Sequence, residues 1–255
     1  MLAWPGDREP KDLMPDLDWN KSRWNDEHPW PEAGDEWSQG WGGPRAQWFG
    51  TLYPRIARWL PAGRILEIAP GFGRWTQFLL RHAPSLVGVD LNPRCIQQCR
   101  QRFAAYDHAL FVQNDGRSLD MVSDGSIDFV FSFDSLVHVE MDVLTPYCAQ
   151  IIAKLSPRGT AFIHHSNAAN GVDENNPNAE GRGKSVSSQA VKAAIESSGG
   201  RVLIQEEINW ASMARIDCLT TFTHAGAHSQ IDYLKIENNS FMTEMALIRA
   251  VQSHY

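Results

Sequence analysis

Short apolar runs alternate with more polar segments between about residues 62 and 165. The apolar runs predict five buried strands, at 64–68, 86–89, 109–113, 127–133 and 160–164. The segments between them predict helices, at 74–82, 93–106 and 141–155. Strands that alternate with helices indicate right-handed crossovers and a parallel sheet with both faces covered.

The chain changes character after residue 166. Residues 167–186 are polar and rich in glycine without a repeating pattern, which predicts a functional or disordered loop. A helix is predicted over 187–198, where Ser187 or Ser188 can cap its start and Gly199-Gly200 ends it. Two strands at 201–208 and 217–223 and an amphipathic helix at 239–252 complete the pattern.

The first part of the chain has a different chemistry. Residues 1–43, which we call the N-terminal arm, lack sustained periodicity and are interrupted by proline. Seven of the ten tryptophans precede residue 50, and so many aromatic residues argue against disorder. Residues 44–60 predict a helix that bends near Pro54 and ends at Pro61. We therefore expect an arm or lid with its helix over 1–60, and the main α/β domain over 61–255.

Composition excludes several classes of function. The chain has 255 residues, of which 43% are hydrophobic and 21% charged, enough to form one α/β domain without stabilising disulfides or metals. Its net charge of −7 argues against a nucleic-acid partner, which needs a basic face. The apolar runs are too short to cross a membrane, and the first residues lack the apolar core of a secretion signal. Four cysteines suggest reduced thiols, so we expect a cytoplasmic protein without membrane contact.

A glycine-containing turn follows the first predicted strand. The segment reads Ile65-Leu66-Glu67-Ile68-Ala69-Pro70-Gly71-Phe72-Gly73. Its two glycines, separated by one residue, come just before a predicted helix. Glycine lets backbone approach a ligand closely, and the start of a helix offers free N–H groups. Many unrelated α/β folds share such a turn, so further signals are needed.

Two acidic groups follow the next two strands. Asp90 ends the second strand, where a carboxylate can accept hydrogen bonds from ribose hydroxyls. The sequence Asn114-Asp115-Gly116 ends the third strand and can contact an adenine, although it is also typical of a simple turn. All three signals fall at the carboxyl ends of neighbouring strands, where an open α/β sheet binds its ligand.

These residues together resemble the class I S-adenosylmethionine-dependent methyltransferases. The turn is similar to the first motif of the family, with Ala69 in place of its first glycine. The resemblance implies a Rossmann-like, mostly parallel sheet of seven strands in the order 3-2-1-4-5-7-6, the last strand antiparallel. It implies S-adenosylmethionine as cofactor and S-adenosylhomocysteine as product. The implied cofactor-binding residues are Glu67, Ala69, Pro70, Gly71, Gly73, Asp90, Leu91, Asn114, Asp115, Gly116 and Ser132.

An NAD-binding Rossmann fold is the competing interpretation. Its G-x-G-x-x-G turn requires glycine or alanine at position 76, where this chain has Thr76. The acid Glu67 ahead of the turn also favours the methyltransferase.

Methyl transfer to a hydroxyl benefits from a general base, and two clusters of candidates follow strands four and five. His138 is the sharper candidate, because the family's loop after strand four borders the transferred methyl group. Asp134 could orient a histidine or hold an acceptor hydroxyl, and His164 and His165 point to opposite sides of their strand. Asp134 with these histidines could also hold a divalent ion, but no ligand spacing supports that, so we predict no metal.

The acceptor itself is the least specified part. We expect Trp37, Trp41, Asp134 and Asn167 to contact it, with the N-terminal arm as a lid and Asp173 and Glu174 on the other side. Indoles and carboxylates suit a hydroxyl of a sugar or glycosylated metabolite. The alternatives are N-methylation of an amino sugar or other small amine, and a non-catalytic cofactor-binding subunit. The arm could equally form the contact of a homodimer.

Overall fold

A computed structural model of the protein describes residues 15–24, 28–171, 179, 181–227 and 231–251. These residues contain one eight-stranded sheet with the order β3-β2-β1-β4-β5-β7-β6-β8. The strands are β1 (Ile65–Ile68), β2 (Leu86–Asp90), β3 (Ala109–Gln113), β4 (Ile127–Ser132), β5 (Leu155–Ser166), β6 (Gly200–Trp210), β7 (Met213–His224) and β8 (Leu234–Asn238).

The predicted topology is confirmed except for the number of strands. Strands β1 to β5 pair in parallel, and β7 runs antiparallel to both β5 and β6. The expectation of seven strands was wrong, because β8 adds in parallel to the free edge of β6. Its side chains are almost all exposed, so it lacks the apolar run by which the other strands could be recognised.

Helices flank the sheet, and the short ones mark where the prediction was too simple. The expected helix over 44–60 is present as one unbroken run of short pieces: Pro44–Gln47 and Tyr53–Ile56 are α-helical, Trp48–Leu52 is π-helical and Ala57–Trp59 is a 3-10 turn. The helix after the glycine turn is also short. The α-helices are α1 (Leu17–Arg23), α2 (Pro44–Gln47), α3 (Tyr53–Ile56), α4 (Thr76–Leu79), α5 (Pro93–Arg102), α6 (Met141–Lys154), α7 (Ser188–Ser197) and α8 (Phe241–Val251).

Two hydrophobic cores lie on opposite faces of the sheet. Side chains alternate along each strand, so Val130 packs on one face with α6 while Phe129 and Phe131 pack on the other with Trp48. Both faces are buried, which explains why the parallel strands read as continuous apolar runs rather than as alternating ones. No helix among the described residues combines the length and the apolar character that a membrane crossing requires.

The N-terminal arm lies across the carboxyl edge of the sheet. The Asn20 side chain in α1 donates to the His138 carbonyl oxygen at 2.6 Å. On the other side, the Arg94 guanidinium donates to the His28 carbonyl oxygen at 2.9 Å. The arm is therefore tied to elements on both sides of the crevice at the strand ends.

The C-terminal helix supports the arm from behind. At Gly40, which lies in the 3-10 helix Asp35–Trp41, a Cβ atom would come 2.6 Å from the sulfur of Met245 in α8. At Gly50, a Cβ would come 2.7 Å from Ile248. Glycine at these two positions lets α8 approach the arm and its following turns closely.

Candidate active site

A cavity of about 740 Å³ lies at the carboxyl ends of β1, β2, β3 and β4, beneath the N-terminal arm. One half is lined by the glycine turn, Asp90 and Asn114. The other half contains aromatic side chains from the arm, from β4 and from β6. The position agrees with the rule that open α/β sheets bind ligands at this edge.

The glycine turn has a backbone conformation that favours glycine. Gly71 and Gly73 have φ angles of +58° and +89°, and Ala69 has φ +56° although it carries a Cβ. A Cβ at Gly73 would lie 2.3 Å from the Phe103 ring, so no side chain fits there. Ala69 is held by two hydrogen bonds, from its own N–H to the Val89 carbonyl at 2.7 Å and from the Ser135 hydroxyl to its carbonyl at 3.0 Å. These bonds stabilise the strained backbone at the position where the family has glycine.

Glu67 is buried behind this turn and does not line the cavity. The Thr76 hydroxyl donates to one carboxyl oxygen at 2.5 Å, and the other oxygen has no partner. Burial raises the pKa of Glu67 to about 8, although the Thr76 hydrogen bond acts against this. Glu67 is therefore protonated at neutral pH.

We expect the stability of the protein to fall as pH rises from about 4.5 to about 8, because folded Glu67 keeps a proton that the unfolded chain releases. The slope from one group is at most about 1.4 kcal/mol per pH unit. Glu67→Gln keeps the shape of the side chain without the titration, so this component should vanish. Urea unfolding across the pH range tests it. Asp90 also titrates there, and identical slopes in the two proteins would contradict the assignment to Glu67.

Asp90 lies at the end of β2 and faces the cavity. Its carboxylate accepts hydrogen bonds from the N–H groups of Gly71 at 3.0 Å and Asn92 at 2.9 Å. Burial raises the pKa of Asp90 to about 6, and these N–H groups act in the opposite direction. The carboxylate thus connects the glycine turn to the end of the neighbouring strand.

The third predicted signal divides into cavity-lining and peripheral residues. Asn114 and Gly116 line the cavity, and the Asn114 amide donates to the Tyr147 hydroxyl at 2.9 Å. Asp115 is exposed, and its carboxylate accepts from the N–H groups of the two residues after Gly116. Ser132 is buried, and its hydroxyl donates to the Ile68 carbonyl. Ala69, Pro70, Gly71 and Leu91 also line the cavity, whereas Gly73, Asp115 and Ser132 do not.

His138 is the histidine that faces the cavity. Its Nδ1 lies 2.6 Å from the Gly181 carbonyl oxygen, and since a carbonyl can only accept, Nδ1 carries the proton. Nε2 is then an acceptor, and it has no hydrogen-bond partner among the described residues. Burial, followed by the charge of Arg182, lowers the pKa of His138 to about 4, so the ring is neutral. Trp19 and Trp24 of the arm pack against it, with ring centroids at 5.9 and 5.5 Å.

His164 and His165 are fully buried and do not line the cavity. His164 Nδ1 accepts from the backbone N–H of Asp134 at 3.1 Å, and its ring packs 4.6 Å from Phe133. His165 lies on the opposite face of β5, where both ring nitrogens have partners, one of them the Thr220 hydroxyl at 2.7 Å. Neither ring offers a free acceptor nitrogen to a substrate.

Asp134 combines a positive φ angle of +63° with a buried ion pair. Its carboxylate accepts from Arg74 Nη2 at 2.8 Å, and both residues line the cavity. Nη1 of Arg74 is buried without a partner, and the guanidinium lies 4.6 Å from the centre of the Trp75 ring. Arg74 therefore has one nitrogen available for a ligand beside the glycine turn.

A second buried ion pair lies beside His138. Arg182 donates from Nε and Nη2 to the two carboxylate oxygens of Asp217, each at 2.9 Å. Burial alone would raise the pKa of Asp217, but Arg182 and then His164 outweigh it and hold the pKa at about 2. His164 Nε2 lies 3.4 Å from Asp217, which is too long for a strong hydrogen bond.

Aromatic and thioether side chains form the walls beside these charges. Trp37 and Trp41 of the arm line the cavity, as do Met242 and Met245 of α8. We call the part lined by Trp41, Trp75, Phe133, Trp210 and Met245 the acceptor chamber. Asn167 lies elsewhere, where its side chain bonds to the Arg215 carbonyl and to the Ser188 N–H. Asp173 and Glu174 lie outside the described residues.

Sequence reasoning missed most of the acceptor chamber. Trp210 and the two methionines of α8 lie far from the motifs in the chain, and no local pattern connects them to the site. Arg182 falls in the loop without periodicity, and its partner Asp217 is one acid in a strand. Arg74 could have been predicted as a site residue, since it directly follows the glycine turn. Among the described residues, no group of three or more His, Cys, Asp or Glu side chains is placed to hold a metal ion.

Comparison with known proteins agrees with this geometry. Residues 65–159 match the family described as "Methyltransferase domain". This segment is thus similar to a methyltransferase domain, and its strands have the class I fold. The resemblance inferred from the motifs is confirmed, and S-adenosylmethionine is the methyl donor that the family implies. The matched segment runs from the start of β1 into the first half of β5.

One curated relative extends the match beyond this segment. A phthiotriol/phenolphthiotriol dimycocerosates methyltransferase from Mycobacterium leprae is 30% identical over 136 residues, which are 49% of this chain and 46% of that protein. The chain spans less than half the length of the curated relatives it matches.

Solved structures show the same fold at low identity. The PH0226 protein from Pyrococcus horikoshii is 18% identical with a TM-score of 0.55 and covers 71% of this chain and 90% of its own. The CcbJ methyltransferase from Streptomyces caelestis is 16% identical with a TM-score of 0.54, over 71% of this chain and 96% of its own. At this identity the likeness extends to the fold alone.

Proposed function

We propose that the protein transfers a methyl group from S-adenosylmethionine to a hydroxyl of a small polar acceptor, with His138 as the general base. The observation that carries this proposal is the free Nε2 of a neutral histidine in a cavity that begins at the glycine turn. A fixed tautomer and a position beside the acceptor chamber are what general-base catalysis requires.

The residues of the cavity suit the cofactor. Asp90 and the N–H groups around the glycine turn would hold the ribose, and Asn114 and Gly116 would border the adenine. The unpartnered Nη1 of Arg74 is a buried cation beside the same turn, which suits the carboxylate of the methionine moiety. The bound cofactor supplies an activated methyl group on sulfur.

The residues of this chain then position the acceptor and take its proton. S-adenosylmethionine would supply the methyl group and leave as S-adenosylhomocysteine, and His138 Nε2 would take the proton of the acceptor hydroxyl. The Gly181 carbonyl holds Nδ1–H and so leaves Nε2 as the acceptor nitrogen of a ring that lines the cavity. The arm covers this site with Trp19 and Trp24, which excludes water from the reacting groups.

A sugar hydroxyl is the acceptor we favour, because indole and phenyl faces in the acceptor chamber can pack against the C–H groups of a sugar ring. The amine alternative receives less support, since the described lining of the cavity carries more cations than carboxylates. A non-catalytic cofactor-binding subunit would need neither the fixed tautomer of His138 nor a chamber for an acceptor, so this alternative is less supported.

Thermal unfolding with S-adenosylhomocysteine and, separately, with NAD tests the cofactor. Ligand at 100 times its dissociation constant should stabilise the protein by about 2.7 kcal/mol. We expect a shift with S-adenosylhomocysteine alone, and its loss in Asp90→Ala. Asp107→Ala is the matched control, because its carboxylate is exposed at the opposite end of the sheet. A shift with NAD alone would overturn the proposed function.

A further inference from the structure

The charge of the cavity lining differs in sign from that of the whole protein. The chain carries a net charge of −7. Among the described residues that line the cavity, the carboxylates are Asp90 and Asp134, and the cations are Lys21, Arg23, Arg74 and Arg182. His138 adds no charge because it is neutral. Counting Asp217, which pairs with Arg182, these residues are four cations and three carboxylates, so a single net positive charge remains, and S-adenosylmethionine would add another.

Arg182 is placed to use this charge in recognition. Only 7% of the residue is exposed, and Asp217 fixes its guanidinium through Nε and Nη2. The remaining nitrogen, Nη1, has no hydrogen-bond partner among the described residues. It is also absent from the nitrogen and oxygen atoms that are fully buried without a partner, so Nη1 is accessible. A guanidinium that is rigidly held through two of its nitrogens leaves the third as a donor at the wall of the cavity that Arg182 lines.

The neighbours of Arg182 place this donor in the acceptor half of the cavity. Its guanidinium lies 5.7 Å from the centre of the Trp210 ring, a wall of the acceptor chamber. The carbonyl of the preceding residue, Gly181, holds the general base His138. A group bound to Nη1 would thus belong to a molecule that also reaches His138.

We propose that the acceptor is an anionic sugar derivative, whose carboxylate or phosphate group binds Nη1 of Arg182. This inference rests on the proposed function, since it concerns the acceptor of that reaction. Asp217 is already neutralised by Arg182, and Asp134 by Arg74, so the described residues around the chamber include no unpaired carboxylate that would repel an anion. Lys21 and Arg23 on α1 add attraction at the side of the arm.

A charge series on one sugar scaffold tests the proposal. Calorimetric titrations of the protein saturated with S-adenosylhomocysteine would compare glucose, glucuronate, glucose 1-phosphate and glucosamine. We expect an anionic member to bind about 10- to 100-fold more tightly than glucose, as for a hydrogen bond to a charged group. Glucosamine should bind most weakly. Glucuronate as the tightest ligand would assign a carboxylate, and glucose 1-phosphate would assign a phosphate.

A paired variant ties the preference to Arg182. The double variant R182Q/D217N removes both charges together, so no buried carboxylate is left uncompensated. It should lose the preference for anionic members and keep the affinity for S-adenosylhomocysteine. The control is K154Q/D124N, which removes an ion pair outside the cavity and should keep the preference.

Several results would overturn the inference. These are equal binding of glucose and both anions, tighter binding of glucosamine, no binding of either anion, or an unchanged preference in R182Q/D217N. Failure to bind S-adenosylhomocysteine at all would instead contradict the proposed function, so the two failures are distinguishable.

Discussion

Replacing His138 by asparagine should lower kcat by about 10²- to 10⁴-fold, the usual contribution of a general base. The asparagine side chain can still donate to the Gly181 carbonyl from the position of Nδ1, but it offers no base at the position of Nε2. The variant therefore separates loss of the base from loss of the loop contact. Affinity for S-adenosylhomocysteine should stay within a few-fold of wild type, because the hydrogen bond that shapes the loop is retained.

The measurement is single-turnover methyl transfer to the best acceptor of the sugar series, with cofactor affinity measured in parallel. His108→Ala is the control, since His108 lies beside the amino end of β3, away from the cavity. Because the pKa of His138 is about 4, the imidazole stays unprotonated well below pH 6. We therefore expect wild-type kcat/KM not to fall from protonation of this base until the pH approaches 4. A loss of only a few-fold in His138→Asn would favour an acceptor that is deprotonated before it binds, such as an amine.

Replacing Arg182 alone by glutamine should destabilise the fold by about 3–5 kcal/mol, which is the usual cost of leaving one charge of a buried ion pair without its partner. Asp217 is fully buried, and without Arg182 its carboxylate would have only His164 Nε2, 3.4 Å away, beside it. The double variant R182Q/D217N should recover most of this loss, because two neutral amides can bond to each other. Chemical denaturation of both variants and the wild type measures the difference.

The pH dependence gives the same pair a second test. The pKa of Asp217 is about 2 in the folded protein, below its ordinary value, so the ionised carboxylate stabilises the fold above that ordinary value. This contribution is lost as pH falls toward 2, when Asp217 takes up a proton. R182Q/D217N should lack this acid-dependent component. An R182Q variant as stable as the wild type would show that the pair contributes little.

Most of the fold could be predicted from the sequence, because the central strands are buried on both faces. Such strands appear as apolar runs, and β2, predicted over 86–89, spans Leu86–Asp90 with every residue buried. β8 was missed because it lies at the edge, where only Leu234 and Ile236 interrupt polar residues and both are exposed. Its place beside β6 depends on backbone pairing, which leaves no mark on side-chain composition.

The cofactor half of the site was also predictable, and the reason is topological. The ends of neighbouring parallel strands meet at one edge, so Gly71 and Asp90 had to lie close together, and a hydrogen bond of 3.0 Å joins them. The resemblance also implied contacts for Asp115 and Ser132, and neither of these residues lines the cavity. Both side chains bond to nearby backbone instead.

The motifs in the sequence and the resemblance they carry implied the order of the first seven strands, the edge of the sheet that binds the ligand, and the residue types available there. The resemblance favoured His138 by its place after strand four, but only the tertiary structure showed that His138 lines the cavity while His164 and His165 are buried away from it. The tertiary structure also paired Arg182 with Asp217 and placed the N-terminal arm over the strand ends. The physical reason is that strands are specified by neighbours in the chain, whereas these contacts join segments far apart in sequence, and packing alone brings them together.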